Sequence, residues 1–169
     1  IRNCLVGSEM CIRDRANKLG YLTNVSEIFD DGLIYKDDNV EVTAFKNSHG
    51  DLEDSFGYLF ETNDKKILFS GDTAVSENLK KYGKNLDILV HEVFSSETFE
   101  NKTKEWQIYH KAHHTSSIDL GKIANELKPN KLVLSHILFW GASSESLLSD
   151  ISQNFDGTSI IAEDLLVID

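Results

Sequence analysis

Apolar positions along the chain first predict a series of short β-strands. Five segments show either alternation with a period of two or an uninterrupted apolar run: Val40–Asn47, Phe56–Thr62, Lys65–Ser70, Leu86–Val93 and Lys131–Ile137. The second and third segments flank Asn63 and Asp64, which predicts a hairpin. The last two segments are short and largely apolar, as is typical of strands that are buried on both faces of a sheet.

Later in the chain, the spacing of apolar residues changes to that of helices. One helical face consists of Leu120, Ile123, Ala124 and Leu127. Ser116 and Asp119 predict a cap at the N-terminus of this helix, and Pro129 comes just after its end. A second helix is predicted at Ser144–Phe155, and a last strand at Ser159–Ile168 after the turn at 155–157. Strands that come first and helices that come later predict a single α/β unit.

Composition and charge narrow the class of protein. The 169 residues are 40% hydrophobic and 27% charged, as in ordinary globular domains, and the formal net charge is -11. This acidity argues against a general nucleic-acid surface, although bound divalent metals would reverse the field locally and leave a phosphodiester substrate open. No apolar stretch approaches the ~20 residues that a transmembrane helix needs. Both cysteines, Cys4 and Cys11, lie near the start, which fits a reducing cytosol, and we expect a cytoplasmic protein without a membrane partner.

The first fifteen residues differ from the rest of the chain. Ile1–Arg15 has no clean period of two or 3.6, and its three arginines against two acidic residues contrast with the acidic remainder. The string CLVGSEMCIRDR resembles the translated adapter read-through that recurs at the ends of metagenomic assemblies. We therefore expect residues 1–15 to be non-native and residues 16–169 to be the domain portion. A genuine N-terminal segment is the alternative.

Histidines and one aspartate near the ends of predicted elements indicate metal chemistry. The residues concerned are His49, Asp72, His91, His114 and His136. Most of them end or follow a predicted strand, and His114 is expected to open the amphipathic helix. Strands fix the positions of imidazole and carboxylate ligands, while the loops after them leave a coordination position open. His110 is expected at the surface.

The order of these motifs resembles the metallo-β-lactamase superfamily. The chain presents in turn His49, Ser70-Gly71-Asp72-Thr73, Val90-His91-Glu92, His113-His114-Thr115 and Leu134-Ser135-His136. Within the superfamily, the sequence is most similar to the ribonuclease Z and arylsulfatase-like branch, over roughly residues 20–169. The resemblance implies an α/β fold, namely the C-terminal part of a four-layer αβ/βα sandwich.

The resemblance also implies a metal site. His49, Asp72 and His136 match metal-binding residues, and Asp72 matches the carboxylate that bridges two divalent ions, expected to be zinc. Such a dinuclear centre activates a hydroxide that attacks an ester or phosphodiester bond. Asp72 therefore also belongs to the expected catalytic residues.

Proton transfer is assigned to a second set of residues by the same resemblance. His114 and Glu92 match a pair that assists protonation of the leaving group, with the carboxylate holding the ring. Thr73, His91 and His113 are expected near the site without binding metal. For His91, packing within the buried strand is an equally good interpretation.

Two departures from the superfamily limit these expectations. The signature His-x-His-x-Asp-His has no counterpart in the chain, and His49, Asp72 and His136 alone give neither ion a full set of ligands. We therefore expect a fragment that is inactive or nearly inactive alone. The tight connection from Tyr58 to Asp72 leaves no room for the long arm that binds tRNA in ribonuclease Z, so tRNA is the less favoured substrate.

Three functions follow from these observations. The first is a hydrolase of small or medium esters, phosphodiesters or sulfate esters that uses a dinuclear zinc-activated hydroxide. The second is a tRNA 3′-processing endoribonuclease. The third is a non-catalytic binding protein on the same fold, which the incomplete ligand set would favour if the N-terminus were genuine. A homodimer is the candidate assembly, because exposed apolar strands tend to associate.

Overall fold

The computed structural model describes residues 25–168, so the segment 1–15 lies outside the described residues. The strands are β1 Gly32–Lys36, β2 Val40–Lys46, β3 Phe56–Thr62, β4 Lys66–Phe69, β5 Ile88–Phe94, β6 Lys131–Leu138 and β7 Thr158–Ile161. The helices are α1 Glu77–Tyr82, α2 Ser96–Phe99, α3 Lys104–His113, α4 Ser117–Leu127 and α5 Ser144–Ser152. None of these helices has the length and apolarity needed to cross a membrane.

All seven strands form one sheet, in which they follow one another in chain order. Strands β1 to β4 are antiparallel, and β3 and β4 form the predicted hairpin. Strands β4 to β7 are parallel, so each connection between them crosses over and contains at least one helix. The α/β class predicted from the sequence is confirmed. Because β4, β5 and β6 run in the same direction, the loops after them meet at one edge of the sheet.

The hydrophobic core lies between one face of the sheet and helices α1, α4 and α5. The predicted apolar face of α4 is buried at all four positions, namely Leu120, Ile123, Ala124 and Leu127. These residues pack with strand residues such as Phe45, Leu89 and Leu132. Full burial of one such leucine contributes about 1.5–3 kcal/mol. The core therefore holds α4 against β5, and α4 begins just after the loop that contains His114.

The N-terminus of α4 has the predicted cap. The Oγ of Ser116 accepts a hydrogen bond from the backbone N–H of Asp119 at 3.1 Å and donates one to its carboxylate at 2.8 Å. This exchange satisfies one of the N–H groups that a helix start leaves without a partner. The cap fixes where α4 begins.

Several elements differ from the sequence prediction, and strand β1 and helix α2 were not predicted at all. The last strand ends at Ile161, because the chain turns at 163–166, where Leu165 has a φ of 68°. Helix α5 ends at Ser152, although Phe155 is still buried. Helix α3 has no counterpart in the predicted elements, because none of its ten residues is buried and its sequence has no apolar face of the kind seen in α4.

Close packing of α4 against α5 gives a stability prediction at Gly121. A Cβ at this position would lie 2.7 Å from the carbonyl oxygen of Ile151, which is backbone and cannot rotate away. We expect Gly121→Ala to lower the free energy of unfolding by about 1–3 kcal/mol, despite the better helix propensity of alanine. Asn125→Ala, at an exposed position of α4, should be neutral or slightly stabilising. Urea unfolding of both variants tests this, and equal stability would contradict it.

Candidate metal centre

The C-terminal ends of four strands, and the loops after two of them, bring the predicted site residues to one edge of the sheet. His49 follows β2, Asp72 follows β4, Glu92 lies near the end of β5, and His136 lies in β6. Helix α4 and its preceding loop add His114 to the same edge. The parallel direction of β4, β5 and β6 is the reason that residues far apart in sequence converge here.

A β-bulge turns His136 towards this edge. Glu92 pairs with Ser135 and Val93 pairs with Ile137, so His136 is an extra residue without a partner on β5. Its φ of 43° lies in the left-handed region, which is uncommon for a residue with a side chain. Bulges of this kind redirect a side chain and are frequent beside active sites. The side chain of His136 remains about half exposed, at 48%.

Three side chains form the centre of the site. One ligand atom each from Asp72, His114 and His136 lies within 4.8 Å of the other two. The Nε2 of His136 is 3.5 Å from the Oδ2 of Asp72, and the rings of His114 and His136 stack at 5.7 Å. A carboxylate and an imidazole are donors that zinc takes in catalytic sites, so Asp72 and His136 fit such an ion, and the ring of His114 lies beside them.

His49 lies beside this cluster. Its ring is 5.2 Å from the ring of His114, and its Nδ1 is 2.7 Å from the carbonyl oxygen of His113, to which it is placed to donate a hydrogen bond. His49 and Asp72 also line an open groove of about 600 Å3. The other residues of the groove form an acidic loop that contains Asp51, Glu53 and Asp54.

The loop at 70–73 fixes the position of Asp72. Gly71 has a φ of 61°, and a Cβ there would lie 2.6 Å from the carbonyl oxygen of Phe56, so a glycine is required. The Oγ1 of Thr73 is buried and donates a hydrogen bond to the carbonyl oxygen of Ala74 at 2.7 Å. Thr115 donates a hydrogen bond to the carbonyl oxygen of Thr73 at 2.8 Å, which ties the loop of His114 to that of Asp72. Thr73 therefore lies behind Asp72 in this loop.

A buried carboxylate stands behind His114. Glu92 is 1% exposed, and its Oε1 accepts a hydrogen bond from the backbone N–H of Thr115 at 2.6 Å. Its Oε2 lies 3.3 Å from the Nδ1 of His114, within ion-pair distance, although the two atoms do not form a well-aligned hydrogen bond. With Nδ1 next to Glu92, Nε2 is the nitrogen of His114 that is available to the cluster.

Two histidines lie at other places than the sequence indicates. His114 is the C-cap of α3 and precedes the Ser116 cap, so it does not open α4. His110 is half-buried rather than at the surface, because its ring packs at 3.7 Å on Trp106 and at 4.9 Å on Trp140. Burial lowers the pKa of His110, and the nearby positive charges of other side chains lower it further.

His113 and His91 have different surroundings. His113 ends α3, is partly buried, and stacks on Tyr109 at 4.0 Å. His91 is fully buried, and its Nδ1 is 2.6 Å from the carbonyl oxygen of Glu92. Its alternation with Leu89 and Val93 on β5 places it on the face of the sheet that packs against the helices. His91 thus lies buried between the sheet and the helices, behind Glu92.

Burial of His91 predicts a pH-dependent stability. Desolvation lowers the pKa of His91 below its ordinary value of 6.5, so the unfolded chain binds more protons than the folded chain around and below pH 6.5. The free energy of unfolding should therefore fall as the pH is lowered from 7.5 to 5.5. This one residue contributes a slope of at most about 1.4 kcal/mol per pH unit.

The matched variant is His91→Gln, which keeps a donor for the carbonyl oxygen of Glu92 but does not titrate. Urea unfolding at several pH values should give a shallower pH dependence for this variant than for the unmodified chain. Equal slopes below pH 6.5 would show that His91 does not cause the effect.

Sequence comparison assigns the chain to a family. Residues 10–137 match the family described as Beta-lactamase superfamily domain. The chain is also 27% identical over 106 residues to a ribonuclease Z of Archaeoglobus fulgidus, a match that covers 62% of this chain and 32% of that protein. The chain belongs to the beta-lactamase superfamily domain family. It spans about a third of the length of the curated ribonucleases Z that it matches.

Solved structures show the same fold. The metallo-beta-lactamase fold protein YhfI from Bacillus subtilis has a TM-score of 0.65 at 20% identity, covering 78% of this chain and 50% of that chain. Human tRNase Z, short form, has a TM-score of 0.57 at 22% identity, covering 83% of this chain and 46% of that chain. The resemblance to the metallo-β-lactamase fold and its ribonuclease Z-like branch, predicted from the ordered motifs, is thereby confirmed.

Proposed function

We propose that the protein is a metal-dependent hydrolase that cleaves an ester or phosphodiester bond at the sheet edge of Asp72, His114 and His136. The observation that supports this most strongly is the convergence of the three ligand atoms within 4.8 Å. Their side chains come from three separate parts of the chain, and the αL conformation of His136 holds one of them in an uncommon backbone geometry. Strained residues of this kind cluster at functional sites.

Asp72 and His136 are the residues that would hold a zinc ion, with His49 beside them as the next candidate ligand. A bound ion would supply Lewis-acid stabilisation of developing negative charge and would acidify a water molecule. A dinuclear centre needs more ligands than these side chains offer, because a catalytic zinc commonly takes three from the protein. We therefore expect the 169-residue chain alone to bind zinc weakly and to show little or no turnover.

His114 acts on the leaving group. Its Nε2 is available to the cluster, and when both ring nitrogens carry a proton, Nε2 delivers its proton to the departing oxygen as the ester bond breaks. Glu92 holds the ring through Nδ1, and the hydrogen bond from Thr115 to Glu92 fixes the carboxylate in turn. His114 would thus protonate the leaving group from a position next to Asp72 and His136, which would hold the ion.

A small or medium substrate suits the surroundings better than tRNA. The groove beside His49 and Asp72 contains the acidic residues Asp51, Glu53 and Asp54, which repel a polyanion. The connection between β3 and β4 is a tight hairpin at 63–65, so no tRNA-binding arm stands between these strands. Both features favour a substrate with a single anionic ester group over a polyanion such as tRNA.

A tRNA 3′-processing endoribonuclease is the second candidate function. The observation that favours it is the similarity to curated ribonucleases Z and to the fold of human tRNase Z. Loops outside the described residues would then have to supply the contacts with tRNA.

Parallel assays separate the two candidates. Zinc content, hydrolysis of bis-p-nitrophenyl phosphate and cleavage of a tRNA with a 3′ extension are measured for the 169-residue chain and for the longest in-frame product of its gene. Diesterase activity without tRNA cleavage supports the small-substrate proposal, and efficient tRNA cleavage supports the alternative. A metal-free protein that is inert in both assays would overturn both and favour a binding protein on this fold.

A further inference from the structure

We propose that Trp106, His110 and Trp140, here called the aromatic platform, bind a planar ring of the substrate next to the scissile bond. This inference rests on the proposed function, because it takes the cluster of Asp72, His114 and His136 as the reacting centre. It names the substrate class, namely an ester whose organic group contains an aromatic ring.

The platform is joined to the centre by an uninterrupted series of ring contacts. The ring of His114 lies between two other imidazoles, at 5.7 Å from His136 and at 5.6 Å from His110. His110 in turn packs at 3.7 Å on Trp106 and at 4.9 Å on Trp140, and the two indoles meet edge to face at 4.4 Å. A substrate ring held on the platform would therefore lie next to His110, whose ring centre is 5.6 Å from that of His114 in the cluster.

The platform is accessible, although its residues are large and aromatic. Trp106, His110 and Trp140 are all half-buried, so each ring is partly exposed to solvent. Buried rings support Trp140 from one side, since Phe94 and Phe99 stack on it at 5.4 Å and 6.3 Å. Aromatic side chains that buried rings hold partly exposed beside a polar centre are typical of ligand-binding sites.

Charge also favours an anionic ester on this side of the centre. The Nζ of Lys102 lies 5.1 Å from the ring centre of Trp106 and 5.7 Å from that of Trp140. The groove on the other side, next to His49, contains the acidic residues 51, 53 and 54. Lys102 therefore places a positive charge directly beside the two indoles. A substrate with an aromatic ring and one anionic ester group matches both the aromatic rings and the lysine of the platform.

The chain contains only two tryptophans, and both are on the platform, so their indole N–H signals in 1H–15N spectra report on it directly. Single Trp106→Phe and Trp140→Phe variants assign the two signals. The probes form matched pairs, phenylphosphonate with methylphosphonate and uridine 5′-monophosphate with ribose 5-phosphate, and they are titrated with and without zinc. We expect the ring-bearing probe of at least one pair to shift the indole signals saturably and to bind about two- to tenfold more tightly than its ringless partner.

A preference for the phenyl pair identifies an aryl ester, and a preference for the nucleotide pair identifies a nucleoside ester. Trp140→Leu keeps an apolar side chain but removes the ring. The ratio of the two affinities within a pair should therefore fall towards one, as measured from the remaining indole signal of Trp106. Tyr35→Leu, at an exposed aromatic residue of the edge strand β1, should leave the preference unchanged. Equal affinities within both pairs would overturn the inference.

Zinc titration separates this inference from the proposed function. If the chain binds zinc through the cluster but shows no preference for ring-bearing probes, the platform is wrong and the proposed function stands. If ring-bearing probes are preferred but Asp72→Ala leaves zinc binding unchanged, the proposed function fails while the ring site remains.

Discussion

Replacing Asp72 with alanine is expected to weaken zinc binding by at least about a hundredfold. Asp72 contributes the carboxylate of the cluster, and its Oδ2 lies 3.5 Å from the Nε2 of His136. Without it, the cluster would keep only its imidazoles and would lose the carboxylate that balances the charge of a divalent ion. Competition calorimetry against a chelator of known affinity measures the loss. In a product that shows diesterase activity, the same change should abolish turnover.

The matched control is Asp51→Ala, which removes an exposed carboxylate that lines the same groove. Because exposed charges are screened by water and salt, we expect this variant to change zinc affinity less than about threefold. A general effect of negative charge would instead weaken binding similarly in both variants. Unchanged zinc affinity in Asp72→Ala would refute the assignment of this residue as a ligand.

Local patterns predicted most of the sheet. Strands β2 to β6 lie within one or two residues of the predicted segments, because alternation and apolar runs reflect burial that each strand achieves against both neighbours. The four apolar positions of α4 and its Ser116 cap were also predictable, since a helix face and a cap depend on residues that are close in sequence.

Helix α3 could not be predicted in the same way. This helix packs on the rest of the fold through partly exposed rings, such as Trp106 on Trp140. It has no buried apolar face. These contacts join residues that are 34 positions apart, so no periodic pattern in the local sequence indicates them. The same reason explains why the sequence placed His110 at the surface and missed the two tryptophans.

The candidate site was predictable in its location but not in its detail. Residues at strand ends indicate one edge of the sheet, and the structure places His49, Asp72 and His136 there. The closest group of ligand atoms nevertheless includes His114 in place of His49. That arrangement depends on the bulge at His136, which arises from the pairing of β6 with β5 and has no local sequence signal.

Replacing Glu92 with glutamine is expected to leave the fold intact and to change the tautomer of His114. In the unmodified chain, the backbone N–H of Thr115 donates a hydrogen bond to the Oε1 of Glu92 at 2.6 Å. The amide oxygen of glutamine can still accept this hydrogen bond. The amide NH2 would then face the Nδ1 of His114, which lies 3.3 Å from Oε2, and it requires an acceptor there. The proton of the neutral ring should therefore move from Nδ1 to Nε2, which long-range 1H–15N spectra of the imidazole detect.

Function and stability should separate in the two substitutions of Glu92. In an active product, Glu92→Gln should lower turnover by about 10–100-fold with little loss of stability, because partners that orient a functional histidine have effects of this size. Glu92→Ala should also lower the free energy of unfolding by about 1–3 kcal/mol, since it leaves the N–H of Thr115 buried without an acceptor. Urea unfolding and the imidazole spectra together test this assignment. An unchanged tautomer in Glu92→Gln, with unchanged turnover, would show that the carboxylate only fills space behind His114.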